Sequence, residues 1–500
     1  MLHVTVTLVV LLASLLFWWV RKKFTFWNDK GVPHLTFWQY LRFCVDIYTK
    51  PLNSVIIRNY TRHGRLYGSY QGTVPLLVVA DPEILREVLI SKFKNFSDRS
   101  KGQHVGTDVW RKSMKNLSGD EWKLARAIFT PALTASRLKT IVIKIKTITE
   151  RVTSRLLEAA EQGKPVNFSK LAEHASLDAT VALNYSVDVD SEKETDHPVM
   201  KCIDSLFVDD GGWKVLTIFM LPGVYKALQP DYPPKSSTDL FKAFVSHLME
   251  ERKAKNKKED DFLQVFMDAD YDWESAADQK TEDSEQKKMT LDEITAQGIV
   301  FFLAGVESVS LTVIYTAYYL ALHPDAQERV IAEVDKLCPE GTLTYDSIQD
   351  MTYLDACIKE TLRLSSSEFF LARVCTEETT VAGIPFKPGM CVDVPLAGIH
   401  RDPENFPEPD KFNPDRFLPE NKDNVKPFTF MPFGNGPRNC VGMRLGMTQA
   451  KTLLACLFRR VKLETCPETM VPLKFKPRVL LPVTDGPVML KAVARTTSTS

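Results

Sequence analysis

The sequence predicts a mainly α protein with a small β region, preceded by a single N-terminal transmembrane helix. Three stretches carry that prediction. Leu2 to Val20 holds no charged residue and ends in Trp18-Trp19, followed at once by Arg21-Lys22-Lys23. From Thr290 the chain is apolar almost all round for many turns, as a buried helix is. Tyr67 to Ala80 and Gly383 to His400 supply short β-favouring runs separated by turn residues.

The N-terminal run is just long enough to cross a bilayer, since about 20 apolar residues at a rise of about 1.5 Å each do so. Interfacial tryptophans and a basic cluster after the span put the C-terminal side of the membrane helix in the cytosol. A cleaved signal peptide would show a basic start and a small-residue cleavage site, and neither is present. The expected layout is an uncleaved anchor over 2–20, a basic, proline-containing hinge over 21–34, and one catalytic domain over 35–500. The chain has 500 residues, of which 44% are hydrophobic, enough for a large core. Its 63 basic and 63 acidic residues cancel, so nothing global draws it to nucleic acid. Nine cysteines, an odd number without framework spacing, fit a reducing compartment. The sequons at Asn95 and Asn116 are read as unglycosylated.

Beyond the hinge, Tyr67 to Ala80 reads as a hairpin, and Asp81-Pro82-Glu83 starts a helix with a cap and a first-turn proline. In Glu121 to Arg126, the spacing of four puts Trp122 and Arg126 on one helical face. Arginine there suits a carboxylate, whose two oxygens its planar fork matches, or is a surface residue beside a core tryptophan. Ser205 to Tyr225 is apolar but broken by Asp209-Asp210-Gly211-Gly212 and Pro222. It is either a membrane-dipping patch or a core helix pair. Glu250 to Met289 is rich in alternating charge and reads as a solvated, partly disordered loop.

The long helix begins at a capping box, Thr290 with Glu293. Inside it, Ala304-Gly305 removes side-chain bulk and lets something flat approach the backbone. Glu307 is the acid beside that pair and Ser308 the first alcohol. Ser308 is either a proton relay or a helix serine bonded to its own i−4 carbonyl. Glu360 and Arg363, three apart, meet on one face of a later helix.

Near the C-terminus, Phe433-Gly434-Asn435-Gly436-Pro437-Arg438-Asn439-Cys440-Val441-Gly442 folds back tightly before a second long helix. Amides at such a junction favour a thiolate. One cysteine without CxxC or histidine company builds no zinc site, but a single axial thiolate is enough to hold a haem iron.

This loop resembles the cysteine-ligand loop of the cytochrome P450 family, and the rest of the chain resembles that family in order. The matching parts are Trp122/Arg126, Ala304 to Ser308, Glu360/Arg363 and Phe412 to Phe417. The resemblance is strongest to the microsomal xenobiotic-metabolising branch and implies the cytochrome P450 fold. It implies haem b (iron protoporphyrin IX) ligated by Cys440, packed by Phe433, Ala304 and Gly305, with propionates met by Arg99, Trp122, Arg126, Arg373 and Arg438. It also implies a structural triad of Glu360, Arg363 and Arg416, and distal proton delivery by Glu307 and Ser308. Serine stands where the family has threonine, which puts coupling in doubt. Ser365 to Phe370 departs from the family's apolar run and is expected to line the substrate pocket, with Glu368 facing the substrate, or solvent, and Phe369 stacking on it.

The function so implied is a monooxygenase that inserts one atom of O2 into a small lipophilic substrate: a xenobiotic, steroid or fatty acid. With no flavin or nucleotide fingerprint in the chain, electrons come from a separate NADPH-dependent cytochrome P450 reductase, with cytochrome b5 as an accessory donor. Lys123, Arg137 and Lys139 are candidates for its docking face. The location implied is the endoplasmic reticulum membrane. Two other readings stand beside this one: a reductase-independent isomerase or lyase acting on lipid peroxides, and a noncatalytic haem-binding membrane protein.

Overall fold

The computed structural model describes residues 2–99, 106–206, 233–271, 287–339, 342–477, 479 and 481–495. The principal helices are α1 (Leu2–Lys23), α2 (Phe37–Thr49), α3 (Leu52–His63), α4 (Gly119–Phe129), α5 (Ala135–Glu161), α6 (Phe168–Tyr185), α7 (Lys235–Ala254), α8 (Phe262–Asp268), α9 (Leu291–Leu322), α10 (Thr352–Leu364) and α11 (Met443–Arg460). The principal strands are β1 (Leu66–Gln71), β2 (Val74–Val79), β3 (Pro165–Asn167), β4 (Leu371–Val374), β5 (Cys391–Val394), β6 (Val461–Glu464) and β7 (Met489–Ala494). A mainly helical chain with small sheets is what the sequence predicts.

The expected local signals are present. Thr290 and Glu293 form the reciprocal capping box of α9. Asp81 accepts from the amides of Glu83 and Ile84 at 2.9 and 3.1 Å, with Pro82 in the first turn. β1 and β2 are the hairpin, paired antiparallel from Leu66 opposite Val79 to Gln71 opposite Val74. The sheet runs β1-β2-β5-β4, with β5 parallel to β2 and antiparallel to β4, and a second sheet runs β6-β7-β3.

α9 threads the main core, where Ile299, Phe302, Ile314 and Tyr315 pack with residues of α5, α6 and α11. A second core lies on the four-stranded sheet. α1 and α9 are the two described helices long and apolar enough to cross a membrane; α9 is mostly buried in the protein and α1 is not buried at all.

Residues 21–34 are not a free hinge. Phe24 and Trp27 belong to the sheet core, and Trp27 Nε1 donates to Ser69 O at 2.8 Å. A Cβ at Gly68 would sit 2.4 Å from the Trp27 ring, so the bare glycine is what admits it. The charged interval 250–289 also departs from expectation. Glu250 to Ala254 finish α7, and Phe262 to Asp268 form α8. Between them Arg252 and Asp261 make a buried two-pronged pair at 2.9 and 2.5 Å. Asp261 also caps α8 through Gln264 N, and Arg252 donates to Tyr185 O. Alternating charge concealed a pair whose polar atoms are satisfied inside the protein, which is how a buried charge is tolerated. Most of the apolar stretch 205–225 lies outside the described residues.

Candidate active site

The site is built where α11, α9 and the α4 region converge. α11 starts at Met443 after Gly442, so Cys440 sits in the turn before the helix and not within it. Its amide donates to Phe433 O at 2.8 Å, closing the loop. Gly434 and Gly436 hold φ of +70° and +76°, the left-handed region that glycine enters freely. The Gly436 position is also tight: a Cβ would lie 2.3 Å from Leu89 O.

Cys440 is exposed by surface area, yet desolvation pushes its thiol up. The Gly442 amide and the charges of Arg99 and Arg126 act in the opposite sense and favour the thiolate. α11 meets α9 close by, where a Cβ at Gly446 would be 4.0 Å from Val309 Cγ2. Five residues before Val309, Ala304 is exposed in the middle of a largely buried helix. Gly305 does not share that outlook: a Cβ there would point toward α6, in ordinary contact with Thr180 Oγ1 at 3.5 Å. Phe433 is half-buried against the main core.

Four guanidiniums surround the loop. Arg438 is 1% exposed, lies 4.1 Å over the Trp122 ring, and donates to Ser97 O and Leu117 O at 2.8 and 2.6 Å. Arg126 donates to Asn439 O and Oδ1 at 2.8 and 2.6 Å. Arg99 donates to Arg438 O at 2.7 Å, and Arg373 to Ala372 O at 2.8 Å. Among the described residues, the one carboxylate paired with this group is Asp98, 3.8 Å from Arg438. Burial, aided by neighbouring arginines, lowers both Arg373 and Arg438 to about 9. Arg373 Nε and Arg99 Nε are buried with no hydrogen-bond partner. So many converging cations with orphaned donors suit a ligand that brings carboxylates, as the propionates of a haem do, and a thiol beside them is of the type that could ligate a haem iron.

Behind the loop, Glu360 and Arg363 are fully buried and joined by two hydrogen bonds of 2.8 Å. Arg416 Nε lies 3.5 Å from Glu360 Oε1, completing the triad the sequence suggested. Arg363 also reaches the carbonyls of His400, Pro409 and Lys411, and Asn413 N donates to Glu360.

On α9, Ser308 Oγ donates to Ala304 O at 2.5 Å, the i−4 bond that is the alternative to a relay. Burial raises Glu307 to about 7; Glu173 adds to the shift and Lys115 opposes it. Phe369, expected to stack on the substrate, is 5% exposed and packs among Ile47, Leu52, Val55 and Ile56, whereas Glu368 beside it is exposed. Lys123, Arg137 and Lys139, candidates for a docking face, lie within ion-pair distance of Asp120, Asp260 and Asp346.

Two contributors escaped sequence reasoning. Asn439 anchors Arg126, and only its place beside Cys440 hinted at it. His400, fully buried and lowered to about 3 by desolvation, accepts from Met431 N at 3.1 Å and so ties the triad region to the cysteine loop. A lone histidine in a turn-rich stretch carries no such signal.

Comparison with known proteins agrees with this geometry. A family model described as cytochrome P450 matches residues 30–492. The chain is 34% identical over 456 residues to cytochrome P450 3A41 of Mus musculus, covering 90% of this chain and 88% of that protein. It is 33% identical over 489 residues to cytochrome P450 3A11 of Mus musculus, covering 96% and 95%. It is 34% identical over 444 residues to the lithocholate 6-beta-hydroxylase of Mesocricetus auratus, covering 87% and 86%. The cysteine loop, the arginines around it, the buried triad and this length of match lead to one conclusion: the chain belongs to the cytochrome P450 family and is a haem-iron monooxygenase of that family.

Proposed function

We propose that the protein is a single-pass enzyme of the endoplasmic reticulum membrane that uses haem b and electrons from an NADPH-dependent cytochrome P450 reductase to oxygenate small lipophilic molecules. The observation that carries this is the Cys440 thiol beside four guanidiniums that, among the described residues, pair with a single carboxylate. In this reading Cys440 ligates the iron, and Arg99, Arg126, Arg373 and Arg438 neutralise the propionates, with Trp122 as the platform under Arg438. When bound through a thiolate, haem supplies the activation of dioxygen. The Gly442 amide stabilises the sulfur's negative charge. Ala304 leaves room on the distal side.

Glu307, raised to about 7, carries a proton that it exchanges near neutral pH, as a general acid requires. Ser308 keeps two lone pairs free to accept while its own proton is held at Ala304 O. The name of the hamster relative, a lithocholate 6-beta-hydroxylase, supports steroids among the lipophilic substrates. The exposed, apolar α1 supports the anchor, and residues 35–500, with the packed stretch before them, form the catalytic unit. Cytochrome b5 is an accessory donor in this scheme.

The Ser308 bond to Ala304 favours one second reading, in which a lipid peroxide brings its own oxygen and no reductase is needed. Reconstitution with reductase, NADPH and 18O2 separates the two. Product carrying one labelled oxygen, and none without NADPH, is expected; NADPH-independent turnover of a peroxide with no label from O2 would favour the second.

A further inference from the structure

Among the described residues, Asp98 is the one carboxylate paired with the four guanidiniums around the cysteine loop, and its backbone has a fixed seat. It follows the short helical turn Phe93–Phe96, whose Phe96 is fully buried in the sheet core. The segment then bridges to the edge of β4: Val374 N donates to Asp98 O at 2.9 Å, and Thr376 N to Asn95 O at 2.8 Å. Asp98 is thus next to Arg99 in the chain, and the residue it faces across the bridge is next to Arg373.

Its contact with Arg438 works through charge and not through a hydrogen bond. The carboxylate oxygen Oδ1 lies 3.8 Å from the Arg438 guanidinium, beyond hydrogen-bond length. The donors of Arg438 are turned instead to the carbonyls of Ser97, Leu117 and Met114, at 2.8, 2.6 and 3.5 Å. Asp98 Oδ1 itself accepts from Ser97 Oγ at 3.2 Å. Neutralising Asp98 would therefore break no hydrogen bond that holds Arg438. The Asp98 side chain is 14% exposed and that of Arg438 1%, so solvent and salt screen this pair less than a surface pair.

Arg99, Arg126, Arg373 and Arg438 bring four positive charges; the two propionates of a haem would offset two, and Asp98 offsets a third. Reducing ferric to ferrous iron adds one negative charge, so a nearby positive charge favours that step and a negative one opposes it. We propose that Asp98 is a positioning residue of the haem cradle: acting through Arg438, it subtracts one charge from the cradle and keeps the iron harder to reduce. This rests on the haem-thiolate reading of the Cys440 site. The single electron comes from the reductase in that reading, and from an electrode in the test.

The test is the midpoint reduction potential of the full-length, haem-loaded protein without substrate, with the reduced carbon monoxide spectrum recorded on the same samples. Asp98→Asn keeps the shape and an acceptor for Ser97 Oγ. It is expected to favour the ferrous state about tenfold over wild type, a rise of about 59 mV for one electron. Asp98→Glu, which keeps the charge, is expected to stay close to wild type. An unchanged or lowered potential in Asp98→Asn, in samples with a normal thiolate band, would overturn the role of Asp98 alone. So would an equal rise in both variants, which would trace the effect to packing. Failure of Asp98→Asn to take up haem would also overturn it, because the residue would then serve the fold and not the charge balance. A missing thiolate band in wild type would overturn the reading beneath it as well.

Discussion

Glu360→Gln is expected to destabilise the protein by about 3–5 kcal/mol, the cost of leaving a buried charge without its partner. Glutamine keeps the shape and one oxygen, so Asn413 N retains an acceptor, but the fully buried Arg363 and the nearby Arg416 lose their only counter-charge in the triad. Against a typical total of about 5–15 kcal/mol, that is a large fraction. An isolated buried ion pair is often replaceable by two apolar residues at no net cost. That remedy fails here, because Arg363 also satisfies the carbonyls of His400, Pro409 and Lys411. The double variant Glu360→Met, Arg363→Met is therefore expected to stay destabilised. Denaturant midpoints check both, and a loss below about 1 kcal/mol in Glu360→Gln, the range of an exposed pair, would contradict the account.

Gly436→Ala is expected to disrupt the cysteine loop much more than Gly434→Ala, although both glycines have positive φ. Each substitution carries the left-handed penalty of about 1–2 kcal/mol. At Gly434 nothing is added to it, since the nearest atom is the flexible Leu371 Cδ1 at 3.7 Å. At Gly436 the new Cβ would overlap the Leu89 carbonyl at 2.3 Å, a backbone atom in the wide helical turn Glu87–Ser91 that cannot swing aside. Overpacking of this kind adds about 1–3 kcal/mol and moves backbone. Haem content after purification is the readout: near normal for Gly434→Ala and strongly reduced for Gly436→Ala. Equal retention would show that the contact with Leu89 does not hold the loop.

Whatever depends on local chemistry was legible in the sequence. The capping box at Thr290, the Asp81 cap, the hairpin over 67–80 and the buried character of α9 each arise from a few neighbouring residues, and each is found. Glu360 with Arg363 was legible because three-residue spacing places both on one helical face; Arg416 came only through resemblance, since so distant a partner has no local signature. What failed depends on contacts distant in sequence. Trp27 looked like part of a linker until Gly68 gave it a seat, and Arg252 and Asp261 looked like surface charge until each was seen buried against the other. Phe369 and Glu368 were assigned to one surface, but the chain between α10 and β4 buries Phe369 in a core and leaves Glu368 exposed. The Ala304-Gly305 pair was read as clearance for a flat ligand; Ala304 is exposed, and a Cβ on Gly305 would point toward Thr180 of α6.

The whole account depends on Cys440 being the residue that would hold the haem iron, and the reduced carbon monoxide difference spectrum tests that bond directly. Wild type is expected to give the red-shifted Soret band of a thiolate-ligated iron, and Cys440→Ala to lose that band and most of its haem. An alanine variant that keeps its haem with an unchanged band, or a wild type that lacks the band when fully loaded, would contradict the assignment.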